Sequence, residues 1–179
     1  MKINSSCNSS TKGTAIFLYP LDLSDLESVQ SFVKSYVNDN NFSGRGLNIL
    51  VNNAGINTTG KSVQGHDMCF QTNFVGHYLL TILLLPKLKI AENFHYNSDK
   101  KESGRIVNLS SVMHHYQITP VSKDNDITKE CWWERCITPD VSPNTYSESK
   151  LAMILLTIEL NKRFGMAGIR SISVNPGAV

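Results

Sequence analysis

The sequence has no long apolar run, little net charge and no cysteine framework. Its longest apolar stretch, Tyr78 to Leu85, is interrupted by Thr81 and falls far short of the roughly 20 residues that cross a bilayer. The first residues, MKINSSCNSSTKG, carry one early lysine but no apolar core, so no signal peptide is expected there. The expected location is therefore the cytoplasm or the cytoplasmic face of a membrane. A formal charge of +2 is too small to argue for nucleic acid or an acidic lipid surface as a partner. The four cysteines, Cys7, Cys69, Cys131 and Cys136, are spaced like no disulfide scaffold and are expected as free thiols in a reducing compartment. Without an export signal, the Asn-x-Ser/Thr triplets starting at Asn57 and Asn108 are treated as chance matches.

What is present suits one globular domain. At 179 residues, with 41% hydrophobic and 18% charged residues, the chain is long enough to bury a core. Residues 1–13 are polar and expected to be disordered, and residues 14–179 form the domain. Ala15 to Leu21 has the flavour of a buried strand. Ser24 with Glu27 three residues later predicts a capped helix start, followed by a stripe of Leu26, Val29, Phe32, Val33 and Val37. The run Asn38 to Asn41, then Gly44 and Gly46, predicts a turn. A second strand spans Leu47 to Asn52. A long helix is expected from near Asp67 to Leu85, with Pro86 kinking or stopping it. A third strand covers Arg105 to Leu109. Residues 112–143 read as a long polar insertion. The next helix carries Leu151, Ile154, Leu155, Ile158 and Leu160, with Lys162 and Arg163 in its last turn and Gly165 beyond. A fourth strand, Ile169 to Val174, ends at Asn175-Pro176-Gly177. Strands alternating with helices at this spacing predict an α/β fold with a doubly wound parallel sheet.

In such a sheet, ligands bind beyond the carboxyl ends of the strands. Those ends carry Asp22, then Asn53-Ala54-Gly55, then Ser110-Ser111, then Pro176-Gly177. Singly, each has an ordinary reading as a turn or surface residue. Tyr146 and Lys150, four apart, share one helix face. A nearby ammonium favours phenolate over phenol, and such a tyrosine can exchange a proton with an alcohol or carbonyl oxygen. A surface Tyr/Lys pair is the ordinary alternative for that motif alone.

Order along the chain carries more than any single match. Asp22-Leu23-Ser24, Asn52-Asn53-Ala54-Gly55, Asn73-Phe-Val-Gly76, Val107-Asn-Leu-Ser-Ser111, Tyr146-x-x-x-Lys150 and Asn175-Pro-Gly177 follow one another. From about Ala15 onward this set resembles the short-chain dehydrogenase/reductase family. Gly65 to Thr81 and Lys150 to Thr157 are most similar to its retinol dehydrogenase and WW-domain oxidoreductase branch. The resemblance implies a nicotinamide cofactor, NADP favoured over NAD, and a small apolar alcohol or carbonyl substrate of retinoid or steroid-like kind. It assigns Tyr146 as general acid/base and Lys150 as its partner, also bonding the nicotinamide ribose. Ser111 would hold the substrate oxygen, with Ser110 the weaker choice. Asn73 would sit at a helix kink and hold a relay water. Asp22 and Leu23 would lie at the adenine, Asn53, Ala54 and Gly55 at the adenosine ribose, and Pro176 and Gly177 at the nicotinamide. A homodimer through the helices of Asn73 and Tyr146 is also implied.

Two family features have no counterpart here. No G-x-x-x-G-x-G turn occurs, and Gly44-Arg-Gly46 precedes a strand rather than following one, so it cannot cradle a pyrophosphate. The chain also ends at Val179, ahead of the family's substrate-covering loop. The expected product is a truncated Rossmann-like sheet, its first two strands and final strand missing, centred on the Leu47, Arg105 and Ile169 strands. The Ala15 strand would re-pair with the Leu47 strand or hang apart. Two rival readings are a catalytically inactive fragment, at most a binding or dimerisation module, and a lipid- or protein-binding module that kept the fold. His114-His115 with Cys131 and Cys136 does not have usual zinc spacing, so no metal is expected. Trp132-Trp133 is expected to be a small aromatic anchor in a surface insertion.

Overall fold

The computed structural model describes residues 18, 20–40, 42, 44, 46–89, 104–116, 132–140, 142 and 144–177, with the side chains of 89, 132 and 133 excepted. The polar leader, nearly all of the Ala15 strand and the aromatic anchor lie outside what is described. The described part is a three-stranded parallel sheet with helices. Strand β1 (Ile49–Asn52) pairs with β2 (Arg105–Leu109), and β2 with β3 (Arg170–Val174), in the order β1-β2-β3. Ile49 aligns with Arg105 and Arg105 with Arg170, so Asn52 aligns with Asn108 and Asn108 with Ser173. The expected central sheet is therefore present.

Helix α1 (Leu26–Asn38) precedes β1. Between β1 and β2 lie α2 (Met68–Phe70), a π-helical turn (Gln71–Val75) and α3 (Gly76–Lys89). After β2 come a 3₁₀ turn (Val112–Tyr116), α4 (Trp132–Ile137) and α5 (Thr145–Phe164). The expected insertion thus contains both a turn and a short helix.

Strand side chains alternate between the two faces of a sheet. One face carries Leu50, Ile106 and Ser171, and Ile106 is fully buried against Leu85, Leu88, Met153, Leu156, Leu160 and Ile169 from α3, α5 and the approach to β3. Each large side chain removed from water there contributes roughly 2 kcal/mol. A second cluster joins Leu23 and α1, through Val29 and Val33, to Leu80 and Leu84 of α3. The opposite sheet face keeps Val51 54% and Ile172 55% exposed, so the described helices cover one side only.

Two local expectations shift. The cap of α1 is Asp25, not Ser24: its side chain accepts from the Glu27 N–H, while the Ser24 hydroxyl donates to Asp22. An Asp one residue later competes for the same orphan donors and wins. Pro86 does not end the helix, which continues to Lys89. Leu88 is fully buried, and the carbonyls of Lys87 and Leu88 accept from the N–H groups of Leu47 and Gly104. Packing and these bonds hold the last turn despite the donor that proline removes.

Met68–Leu88 is, by length and a mean hydropathy of 1.4, apolar enough to cross a membrane, which a count of uninterrupted apolar residues does not register. It packs between α1, α5 and the sheet, and its Gln71, Asn73 and His77 are buried and hydrogen-bonded. That is the pattern of a core helix.

Candidate active site

The site begins with an irregularity in a helix. At Gln71–Val75 the chain adopts π-helical bonding, which turns side chains out of the regular 3.6-residue series and recurs at functional positions. Asn73 sits in it, almost fully buried. Its Oδ1 accepts from the Ile56 N–H at 2.7 Å, and its Nδ2 donates to the Ile56 carbonyl at 2.8 Å and to Ser149 Oγ at 3.1 Å. One amide thus ties the loop after β1 to helix α5. The sequence expectation places a helix kink here; the structure has this π-helical turn, and the described contacts of the Asn73 amide are to Ile56, Ser149 and Cys69.

Helix α5 delivers the tyrosine and the lysine. Lys150 Nζ donates to the Leu109 carbonyl at the end of β2 at 3.2 Å and lies 5.5 Å from the centre of the Tyr146 ring. Burial lowers the Lys150 pKa below the ordinary lysine value, because desolvation penalises the ammonium. Gly55 packs close by: a β-carbon there would stand 3.3 Å from Lys150 Nζ and 3.4 Å from Asn73 Oδ1. Glycine is what lets the β1 loop approach both groups. Ser110 is buried, and its hydroxyl donates to the Lys150 carbonyl at 2.9 Å, so it anchors α5. Ser111 is only half-buried, and its Oγ accepts from the Met113 N–H at 3.3 Å.

These strand ends enclose a cleft of about 450 Å³ lined by Asn53, Gly55, Ile56, Asn57, Leu109, Ser110, Ser111, Tyr146, Lys150, Pro176 and Gly177. A second, larger cleft of about 780 Å³ is bordered by Asn57, Thr58, Thr59, Asp67, Cys69, Met113, Asp140, Ser142, Asn144, Thr145, Tyr146 and Ser147. Tyr146 and Asn57 line both. The tyrosine therefore stands between a cleft at the sheet end and one facing the insertion.

Three residues expected at a cofactor, at its adenine and adenosine ribose, do not line these two clefts. Asp22 and Leu23 line neither cleft: Asp22 Oδ1 accepts from the Ser24 N–H at 2.8 Å, and the Leu23 side chain is buried against α1 and α3. Ala54, although next to Gly55, is also outside both linings. Other participants were not singled out from the sequence. Ser149, inside the Tyr-to-Lys motif, accepts from Asn73 and donates to the Tyr146 carbonyl at 2.7 Å. His77 is buried, its pKa lowered to about 4 chiefly by burial, so a neutral ring donates from Nδ1 to the Asn73 carbonyl. Cys69 borders the larger cleft with its thiol pushed up to about 11 by burial and then by Asp67, which leaves it an unreactive thiol at neutral pH. Beneath the site, Asn52 donates to Thr81 at 2.9 Å and to Asn108 at 2.8 Å, and Asn108 donates to Thr157 at 2.8 Å. This seam pins α3 and α5 to the sheet. Among the described residues no group of three His, Cys, Asp or Glu side chains is placed to hold a metal.

Comparison with known proteins gives a consistent result. A family model described as short chain dehydrogenase matches residues 2–122. The match takes in Asn73 and Ser111 and stops ahead of Tyr146. Human (Homo sapiens) retinol dehydrogenase 12 is 33% identical over 171 residues, covering 94% of this chain and 46% of that protein. Mouse (Mus musculus) retinol dehydrogenase 11 is 34% identical over 171 residues, with the same coverage of 94% and 46%. The chain thus spans about half the length of these curated relatives. Among solved structures, a putative uncharacterized protein from Mycobacterium paratuberculosis superposes with a TM-score of 0.62 at 31% identity, covering 93% of this chain and 52% of that one.

Proposed function

The chain belongs to the short-chain dehydrogenase family, whose members are oxidoreductases, and from that premise we propose that it binds NAD(P) at the sheet end and manages the proton as an alcohol and its carbonyl interconvert. The observation that carries this reading is the smaller cleft, where Asn53, Gly55, Ser111, Tyr146, Lys150, Pro176 and Gly177 converge from four separate segments. The cleft suits such a cofactor, with a buried ammonium, a close-approaching glycine and exposed polar strand ends around one space. Lys150 and the Asn53–Gly55 and Pro176–Gly177 turns would hold it, with NADP favoured over NAD by the branch resemblance. The nicotinamide supplies or accepts the hydride. In reduction Tyr146 gives its phenolic proton to the carbonyl oxygen, and in oxidation it takes the proton from the alcohol. Lys150, overlying the ring, stabilises the phenolate left behind. Ser111 donates a hydrogen bond to the substrate oxygen and polarises it, while Asn73 fixes the β1 loop against α5 and holds a water for proton exchange.

The substrate proposed is an apolar alcohol or aldehyde of retinoid or steroid-like kind, supported by the names of the curated relatives. Its oxygen would meet Tyr146 in the larger cleft, where Met113 offers an apolar surface. NADPH and NADH titrated into the 179-residue chain, followed by nicotinamide fluorescence and calorimetry, are expected to show a Kd on the order of micromolar. Lys150→Ala, checked for folding by circular dichroism, is expected to weaken it by about tenfold or more. No binding at about millimolar cofactor would refute this reading and leave the inactive-fragment alternative standing.

A second copy of the chain is the proposed protein partner. The outer surfaces of α3 and α5 expose Tyr78 (45%), Leu155 (46%) and Ile158 (59%), side chains that association would take out of water. Sedimentation should show a dimer that Ile158→Glu dissociates. A monomeric wild-type chain would refute it.

A further inference from the structure

Between Tyr146 and Lys150 lies a group that the proposed chemistry does not use. Glu148, in the first turn of α5, is 2% exposed, yet it carries a carboxylate. Its Oε1 is 3.4 Å from Arg135 Nη2 of helix α4, and its Oε2 is buried without a hydrogen-bond partner. Burying a carboxylate at this depth carries a desolvation cost that a single ion pair repays only in part, and removing one partner leaves the other buried and unpaired. The helix N-terminus offsets part of that cost; Arg135 is the described cation paired with it. Asp67 lies near the same carboxylate, with Asp140 beside it, and both are acidic.

Among the described side chains, α4 is otherwise held by Cys136, fully buried and in contact with Glu148, and by Ile137. Six residues do not form a stable helix in isolation. Cys136 and Ile137 pack on Phe70 and Ala152, and the Ile137 carbonyl accepts from the Asp67 N–H at 2.8 Å. Directly after α4 the chain reverses at Asp140, whose φ of 61° is positive, and runs through Ser142 and Asn144 into Tyr146. Asp140, Ser142 and Asn144 are a wall of the larger cleft. Whatever fixes α4 therefore fixes that wall.

We propose that Glu148 and Arg135 are a positioning pair that clamps α4 onto the tyrosine-bearing helix and so sets the wall of the substrate cleft. The substrate part of this statement rests on the function proposed above; the clamp does not. Glu148 contacts neither substrate nor cofactor in this role. It acts through α4, so its loss should alter how substrate is held and spare the chemical step.

The test is hydrogen exchange on the full chain, comparing wild type with Glu148→Gln, Arg135→Lys and Arg135→Ala, with steady-state kinetics on the same samples. Glu148→Gln keeps the shape and removes the charge, so the fold should survive it. Amides of 132–144 are expected to exchange about tenfold faster in Glu148→Gln and Arg135→Ala, with β1 to β3 unchanged. Arg135→Lys should restore much of the protection. KM for the alcohol should rise about tenfold at unchanged kcat and cofactor Kd. Combining Glu148→Gln with Arg135→Ala should add little to either alone, as for two halves of one interaction. Unchanged exchange at 132–144 would overturn the clamp whether or not the protein turns over substrate. A fall in kcat at constant KM would overturn it too, placing Glu148 in the chemistry. Faster exchange in these variants, alongside a wild type that shows no turnover, would support the clamp and count against the proposed function alone.

Discussion

Tyr146→Phe is expected to lower alcohol turnover by about 10²- to 10⁴-fold, the usual contribution of one positioned acid/base group, with NADPH affinity near that of wild type. The substitution is narrow. It leaves the ring that Lys150 overlies at 5.5 Å and the packing of a half-buried side chain, and it removes only the hydroxyl. Lys150→Ala differs in kind, because it takes away the bond to the Leu109 carbonyl that joins α5 to the end of β2 and so disturbs cofactor binding and chemistry together. The pair of variants separates two roles that one would merge. Stopped-flow mixing with NADPH and a retinoid or steroid-like aldehyde measures hydride transfer, and a fluorescence titration measures cofactor binding. If Phe at 146 turned over as fast as Tyr, the proton would be managed elsewhere and the proposed mechanism would fail at its centre.

How far the sequence foretold this site depends on which residues are asked about. Chemistry at strand ends was legible because a buried β-strand followed by a polar or glycine-rich turn is a local pattern, and parallel topology sends all such turns to one edge. That reasoning put Asn53, Gly55, Ser111 and Pro176-Gly177 around one cleft. The spacing of Tyr146 and Lys150 was legible for the same local reason. Asp22 and Leu23 stand apart from that cleft. They too follow an apolar stretch, but Leu23 meets α1 and α3 in the core, and Asp22 closes its own turn. Strand register also lay beyond local reading. Asn52 and Asn108 looked like motif letters, and only their pairing across β1 and β2 makes them a polar seam. The Arg135–Glu148 pair spans 13 residues and joins the insertion to the helix that carries Tyr146 and Lys150, a contact no periodicity announces.

Gly76→Ala is the stability test with the largest expected effect, and local and tertiary reasoning disagree about its sign. Gly76 opens α3 with φ of −61°, an ordinary helical value, so alanine there should gain up to about 1 kcal/mol in helix propensity. The tertiary contact opposes this. A β-carbon would lie 2.4 Å from the Leu23 carbonyl oxygen and 2.9 Å from the Leu23 Cβ. The first of these is backbone and cannot rotate away. Either α3 retreats from the Leu23 turn or the turn moves, and overpacking of this kind costs about 3 kcal/mol or more. Packing should win, leaving a net loss of about 2 kcal/mol, a large share of the roughly 5–15 kcal/mol that holds such a domain together. Gly165→Ala is the matched control. It too has a helical φ, −58°, and a β-carbon there meets nothing within 4 Å, so it should be neutral or stabilising by about 0.5 kcal/mol. Urea unfolding of the two variants beside wild type decides the matter. Equal midpoints for Gly76→Ala and Gly165→Ala would mean that α3 does not press on the Leu23 turn. Asn73, one turn earlier on the same helix, would then have to be positioned by its bonds to Ile56 and Ser149 alone.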